Sequence, residues 1–352
     1  MLFRDGQTSE RNSAIELLRI FAGMAIIVLH FNFWNLHVVE LTTGLTQKVL
    51  LLLEAICVCA VNVFILISGY CSANSRKVNV SRLVNLVIQT SAFSFIFALI
   101  GCVINDVWSI KRLIGALLPV NYYVILYVSL MFIAPFINIV MDKLSSESMK
   151  KFIWISLVIF SIYPTCVDIL EECLGKTFMG LNSISIRGSI GGYTIINFIL
   201  VYIIGSYIKK MNLLEDVKLS VLKKSVVTSV IAVFIWHEIL PKTAYNYSNP
   251  LVIFEACVIF MLFAKMNFKQ RIINIIAPAS FTCFLIHGHF LSSFGKYISI
   301  EDSFGYVMML LGTCVISIYS ISVVVMMIWN AVFKHSISKI IAKLPVVMIV
   351  DK

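Results

Sequence analysis

Apolar residues in this chain come in runs of about 20, the length an α-helix needs to cross a hydrocarbon core of roughly 30 Å. The first extends from Leu17 to about Leu36. Others follow at about 49–70, 83–104, 122–141, 152–169, 192–208, 225–240, 250–265, 273–293 and 304–333. Backbone in lipid must satisfy its own hydrogen bonds, and runs of this length do so as helices. The pattern predicts an all-α polytopic membrane protein of about ten transmembrane helices. The pair at 225–240 and 250–265 is short, with Pro241 and Pro250 at its turn.

Only 13% of the 352 residues are charged and 60% are apolar, against about 25% charged in an ordinary soluble domain. A chain so poor in polar groups cannot cover a water-soluble globule of this size. A cytosolic enzyme, a secreted disulfide scaffold and a disordered protein are excluded together. The charged N-terminal stretch resembles a signal peptide only in its first region. The apolar run after it is too long for such a peptide and carries no A-x-A-like cleavage site, so it reads as a retained first helix.

The formal net charge is +10, but the cations lie between the apolar runs and not in one patch. This distribution argues for membrane topology and against a nucleic-acid partner. With the N-terminus cytoplasmic, 21 of the 28 Lys and Arg residues fall on the inside, Arg4, Arg11, Lys343 and Lys352 among them, and seven fall outside. Ten spans then leave both termini in the cytoplasm. No loop is long enough for a soluble domain, so residues 1–352 read as one membrane domain, with 334–352 a short cytoplasmic tail. Of nine cysteines, Cys57, Cys59, Cys102, Cys257, Cys283 and Cys314 lie inside apolar runs as small hydrophobes. Cys166 and Cys173 flank an external segment and are candidates for a bridge. No C-x-x-C pair occurs, so no metal site is expected.

An ionisable side chain within lipid is costly unless paired or hydrated, which makes each one a functional suspect. The first span holds Glu16, Arg19 and His30. Eleven residues at about 100° each return Arg19 and His30 to one helix face, about 16 Å apart along the axis. Glu16, a turn before Arg19, can pair with it. A cation at the inner rim with an imidazole above it suits a long anionic ligand whose reactive end reaches inward. Glu54 lies at a similar depth in the second span, where a carboxylate could orient the imidazole of His30. His287 and His289 sit in the outer half of the ninth run. They face different directions, and His287 is the better candidate to join His30. His237, Glu238 and Glu255 are weaker candidates. Asn62 and the Ser68-Gly69-Tyr70 stretch suit helix packing.

The first span reads RNSAIELLRIFAGMAIIVLHF. It resembles the opening of the acyltransferase family 3 membrane proteins, whose hallmark is Arg-x10-His after an acidic residue. FILISGY at 64–70, NYYVILYVSLMFIAPFIN at 121–138 and ASFTCFLIHGHF at 279–290 are similar to further segments of that family in its usual order. The resemblance covers about 12–333. Phe284 stands where that family often has Tyr, and Tyr122 and Tyr123 where Trp is frequent. No appended extracellular esterase-like domain is present.

The resemblance implies a multi-pass O-acyltransferase of the bacterial plasma membrane. It would transfer an acyl group, usually acetyl, from cytoplasmic acetyl-CoA to a surface polysaccharide or glycolipid. No permanently bound cofactor is expected, and the oligomeric state is left open. Arg19, with Glu16, Arg76, Lys77 and Arg82, is expected to hold the donor phosphates by charge-assisted bonds. His30, with Glu54 and His287, is expected to act as general base or to carry the acyl group itself. The alternative from another class is a transporter or flippase of a glycan or lipid-linked sugar. It lacks support from inverted repeats or paired broken helices.

Overall fold

The computed structural model describes residues 12–299, 303–341 and 346–348. Arg4, Arg11, Lys343 and Lys352, counted above as inward charges, lie outside the described residues. Helix α1 (Ser13–Leu29) is opened by Asn12, whose side chain accepts from Ala14 N. It passes directly into a π-turn, His30–Trp34. Helices α2 (Gly44–Cys57) and α3 (Ala60–Ser72), strand β1 (Lys77–Asn79) and helices α4 (Val80–Asn105) and α5 (Tyr122–Lys143) follow. Then come α6 (Ser146–Leu174, with a π-turn at Val158–Ile162), α7 (Ile195–Lys210) and α8 (Leu219–Ile239). The chain ends in α9 (Pro250–Lys265), α10 (Ala279–Leu291), α11 (Phe304–Ile341) and strand β2 (Val346–Met348).

Among the described residues seven helical segments are long and apolar enough to cross a membrane. They are Ser13–Trp34, Gly44–Ser72, α4, α5, α6, α8 and the Phe304–Phe333 part of α11. The other three expected spans form shorter helices: α7 and α9 have 16 residues and α10 has 13. At 1.5 Å per residue these reach only about 20–24 Å. All three bury at least half of their residues among neighbouring helices.

Three further features depart from the sequence pattern. The second run is broken at Val58–Cys59, with no Gly or Pro to mark the break. The helical ladder stops at the bond from Val58 N to Glu54 O and restarts at the bond from Val63 N to Cys59 O. Two three-residue strands interrupt the all-α architecture, β1 pairing antiparallel with β2 and Val78 opposite Val347. Helix α11 also continues to Ile341, into the stretch read as a tail.

The broken second span lies at the centre: 78% of its most apolar window is buried, against 17% for α8. On α8, Val227, Ile231, Ile235 and Ile239 are exposed at four-residue spacing, a lipid-facing stripe. At the centre α3 and α7 touch backbone to backbone. A Cβ at Gly69 would stand 2.2 Å from Tyr202 O, and one at Gly205 2.4 Å from Leu66 O. Only glycine fits there, which is how helices without a hydrophobic drive between them gain contact.

Cys166 and Cys173 are both free and exposed. Both lie on the straight end of α6, two turns apart and so separated by about 10 Å. A helix holds them beyond disulfide reach.

Candidate functional site

Helix α1 positions the site because α10 lies tightly against it. Ser280 Oγ donates to Arg19 O at 2.8 Å. A Cβ at Gly23 would stand 3.0 Å from Ser280 Cβ. This close approach brings His287 of α10 onto His30, with ring centroids 4.3 Å apart and planes at 82°. His289 turns away and stacks on Phe97 of α4, 4.1 Å between centroids. The histidine that meets His30 is therefore His287.

Two hydrogen bonds assign the tautomers. Asn35 Nδ2 donates to Gly288 O at 3.2 Å, so Asn35 Oδ1 is the atom 2.8 Å from His30 Nδ1 and must accept its proton. His287 Nδ1 lies 3.0 Å from Cys283 O, a carbonyl that can only accept. Each imidazole thus holds its proton on Nδ1 and keeps the Nε2 lone pair. That of His287 is buried and has no partner. Each Nε2 is thus an acceptor and not a donor.

Glu54 does not supply the expected contact to His30. Its Oε2 accepts from Asn32 Nδ2 at 2.9 Å, and the same amide donates to Leu50 O at 3.0 Å. The π-turn is the physical reason: its wider turn re-aims the residues after His30, so that Asn32 points to α2 and Asn35 to the imidazole. Polar amides in an apolar run are a signal for both residues, since lipid does not tolerate them unpaired. Their partners follow only from the turn.

At the other end of α1, Arg19 Nη1 is 2.6 Å from Glu16 Oε1. Arg19 lines a narrow cavity of about 150 Å³ with Arg82, Asn85, Gln89, Ser68 and Tyr127. Gln89 Nε2 donates to Thr282 Oγ1 at 3.3 Å, and Ser68 Oγ to Tyr127 Oη at 3.3 Å, so the polar lining is tied together. Tyr123 and Phe284, 4.9 Å apart by centroid, also line the cavity. Phe284 in turn lies 6.2 Å from His287. The cavity thus holds two guanidinium groups together with Phe284, the neighbour of His287.

Arg82 is the second cation in this cavity. Arg76 does not line it; its guanidinium pairs with Asp142, which also takes Lys210. Lys77 is exposed on β1. Of the weaker candidates, Glu238 pairs with Lys48, and His237 stacks on Tyr245 at 4.6 Å. Glu255 is fully buried, with the Cys59 thiol as its polar neighbour.

A family model described as "Acyltransferase domain" matches residues 12–346. No curated protein and no solved structure matches the chain.

Proposed function

The chain belongs to the acyltransferase family whose model matches residues 12–346, and we propose that it O-acetylates an extracytoplasmic glycan from cytoplasmic acetyl-CoA. In this reading it is one multi-pass domain of the bacterial plasma membrane with both termini inside. The observation that carries it is the contact of His30 with His287, whose Nε2 has no partner, next to Phe284, which lines the cavity that also holds Arg19 and Arg82.

The donor's phosphates sit at Arg19 and Arg82, whose guanidinium groups are built for bidentate phosphate contacts. Its pantetheine arm follows the polar lining past Gln89 and Tyr123, and Phe284 guards the way to the histidines. A sugar hydroxyl donates to His30 Nε2. As its oxygen attacks the thioester carbonyl, the hydroxyl proton passes to that nitrogen. The C–S bond then breaks, and the leaving thiolate takes the proton back from the imidazolium. Asn35 keeps Nδ1 protonated throughout, so Nε2 remains the basic atom. A positioned base of this kind contributes about 10²–10⁴-fold. Glu54 is not part of the relay and stands on the far side of Asn32.

Purified protein in nanodiscs, incubated with labelled acetyl-CoA and envelope glycan, is expected to move label to the glycan. His30→Ala is expected to abolish transfer while the protein stays in the membrane. Wild-type indifference to CoA would sink the enzyme reading and favour a glycan transporter.

A further inference from the structure

A second cavity, of about 400 Å³, opens beyond the π-turn at the His30 end of α1. Its walls are aromatic: Trp34, Phe33, Tyr193, Tyr245 and Tyr247. Trp34 and Tyr193 meet edge to face at 6.1 Å, and Tyr193 and Tyr247 lie 4.9 Å apart. Glu54 and Glu40 also line it, against Lys242 as the one amine among its lining residues. Trp34 is 58% exposed from the protein.

The wall carrying Tyr193 is held at a cost. Ile190, Gly191 and Gly192 have φ of 51°, 60° and 84° in succession. A β-branched residue in the left-handed region is strained and persists only where its surroundings over-determine it. Here they do. Ser189 Oγ donates to Asp168 Oδ2 at 2.5 Å, and Tyr247 N donates to Gly191 O at 2.8 Å. A Cβ at Gly192 would stand 2.5 Å from Ser248 N. Asn62 in turn donates to Tyr247 O at 2.8 Å, fixing the opposite wall to α3. Burial pushes the Tyr245 and Tyr247 phenols upward, so both stay neutral at physiological pH.

We propose that this cavity binds a neutral pyranose ring of the acceptor, its C–H face against Trp34 and Tyr193 and its hydroxyls toward Glu54. A pyranose has this dual character, an apolar face rimmed by donors, and aromatic walls with a few convergent polar groups are its complement. Carboxylates among the lining disfavour an anionic ligand, and their desolvation disfavours a fatty chain. Lys242 sets the cavity apart from a cage for a quaternary amine, which needs aromatics and carboxylates without an opposing cation. Trp34 closes the same π-turn that begins at His30, which puts one wall of the cavity four residues along the chain from that imidazole. The assignment of this sugar as acceptor rests on the acyltransferase reading; the sugar site itself does not.

The full-length protein in nanodiscs is titrated, without donor, with methyl glycosides of glucose, galactose, rhamnose and N-acetylglucosamine while tryptophan emission is followed. At least one glycoside is expected to shift the emission. Trp34→Phe is expected to remove the shift, and Tyr193→Ala to weaken binding by about tenfold, the loss of one aromatic wall. No shift with any glycoside, a shift that survives both substitutions, or a shift given by tetramethylammonium or dodecanol in place of the sugars overturns the proposal. Donor binding is measured separately by calorimetry with acetyl-CoA. Its failure beside intact sugar binding strikes the acyltransferase reading and leaves the sugar site standing.

Discussion

At His30 the neighbour that fixes the ring is an amide five residues on, and not a carboxylate. Asn35 is bonded on both sides, to His30 Nδ1 and to Gly288 O. Asn35→Ala frees the ring to rotate and to move its proton, and transfer is expected to fall by on the order of a hundredfold, typical of a misplaced reacting group. Asn35→Asp keeps an acceptor for Nδ1 and is expected to recover part of kcat. Equal losses in the two variants, read as kcat with saturating donor, would remove the positioning role. The donor end has its own ranking. Arg19→Ala and Arg82→Ala are expected to raise the KM for acetyl-CoA more than Arg76→Ala or Lys77→Ala, and Arg19→Lys is expected to rescue only in part because the planar fork is lost. Sequence singled out Arg19, His30 and His287, because a titratable group in lipid stands out without any fold. It misassigned the partner of Glu54, because partnership depends on which way a turn aims a side chain.

Among the elements, the closest contact is α3 on α7, and its tolerance is set by backbone and not by side chains. Gly205→Ala would drive a Cβ to 2.4 Å from a carbonyl oxygen of α3. Relief requires the helices to part, at a cost of about 1–3 kcal/mol as in other overpacked cores. A lowered midpoint in thermal unfolding of the nanodisc-held protein is the expected reading. Gly312→Ala is the control, since a Cβ there meets nothing within 4 Å. The helical class and the multi-span character were readable from apolar runs, while the expected ten spans resolve into seven long segments and three shorter helices among the described residues. The break at Val58–Cys59 and the π-turn at His30–Trp34 were not readable, because both leave composition and period almost unchanged. Such a turn shifts the backbone by one residue, which no change of residue type announces.

For the whole molecule, the distribution of cations between spans predicts the orientation. In a background with Cys71 and Cys166 replaced by Ser, exposed Cys173 at the end of α6 is expected to react with a membrane-impermeant maleimide in intact cells. A cysteine introduced by Lys150→Cys near the start of the same segment is expected to react only after the cells are opened. The reverse pattern would invert the protein and put the Arg19 cavity on the wrong side for a cytoplasmic donor.

Sequence alone determined that this chain lives in a bilayer, that its helices follow the apolar runs, and that Arg19 and His30 share one face. These are consequences of hydropathy and helical period, which act locally along the chain. Only the tertiary structure decided that His287 and not His289 meets His30, that Arg82 and not Arg76 shares the cavity with Arg19, and that Glu54 turns to a separate aromatic chamber. Those outcomes depend on close packing between helices distant in sequence and on one widened turn, and neither leaves a periodic trace.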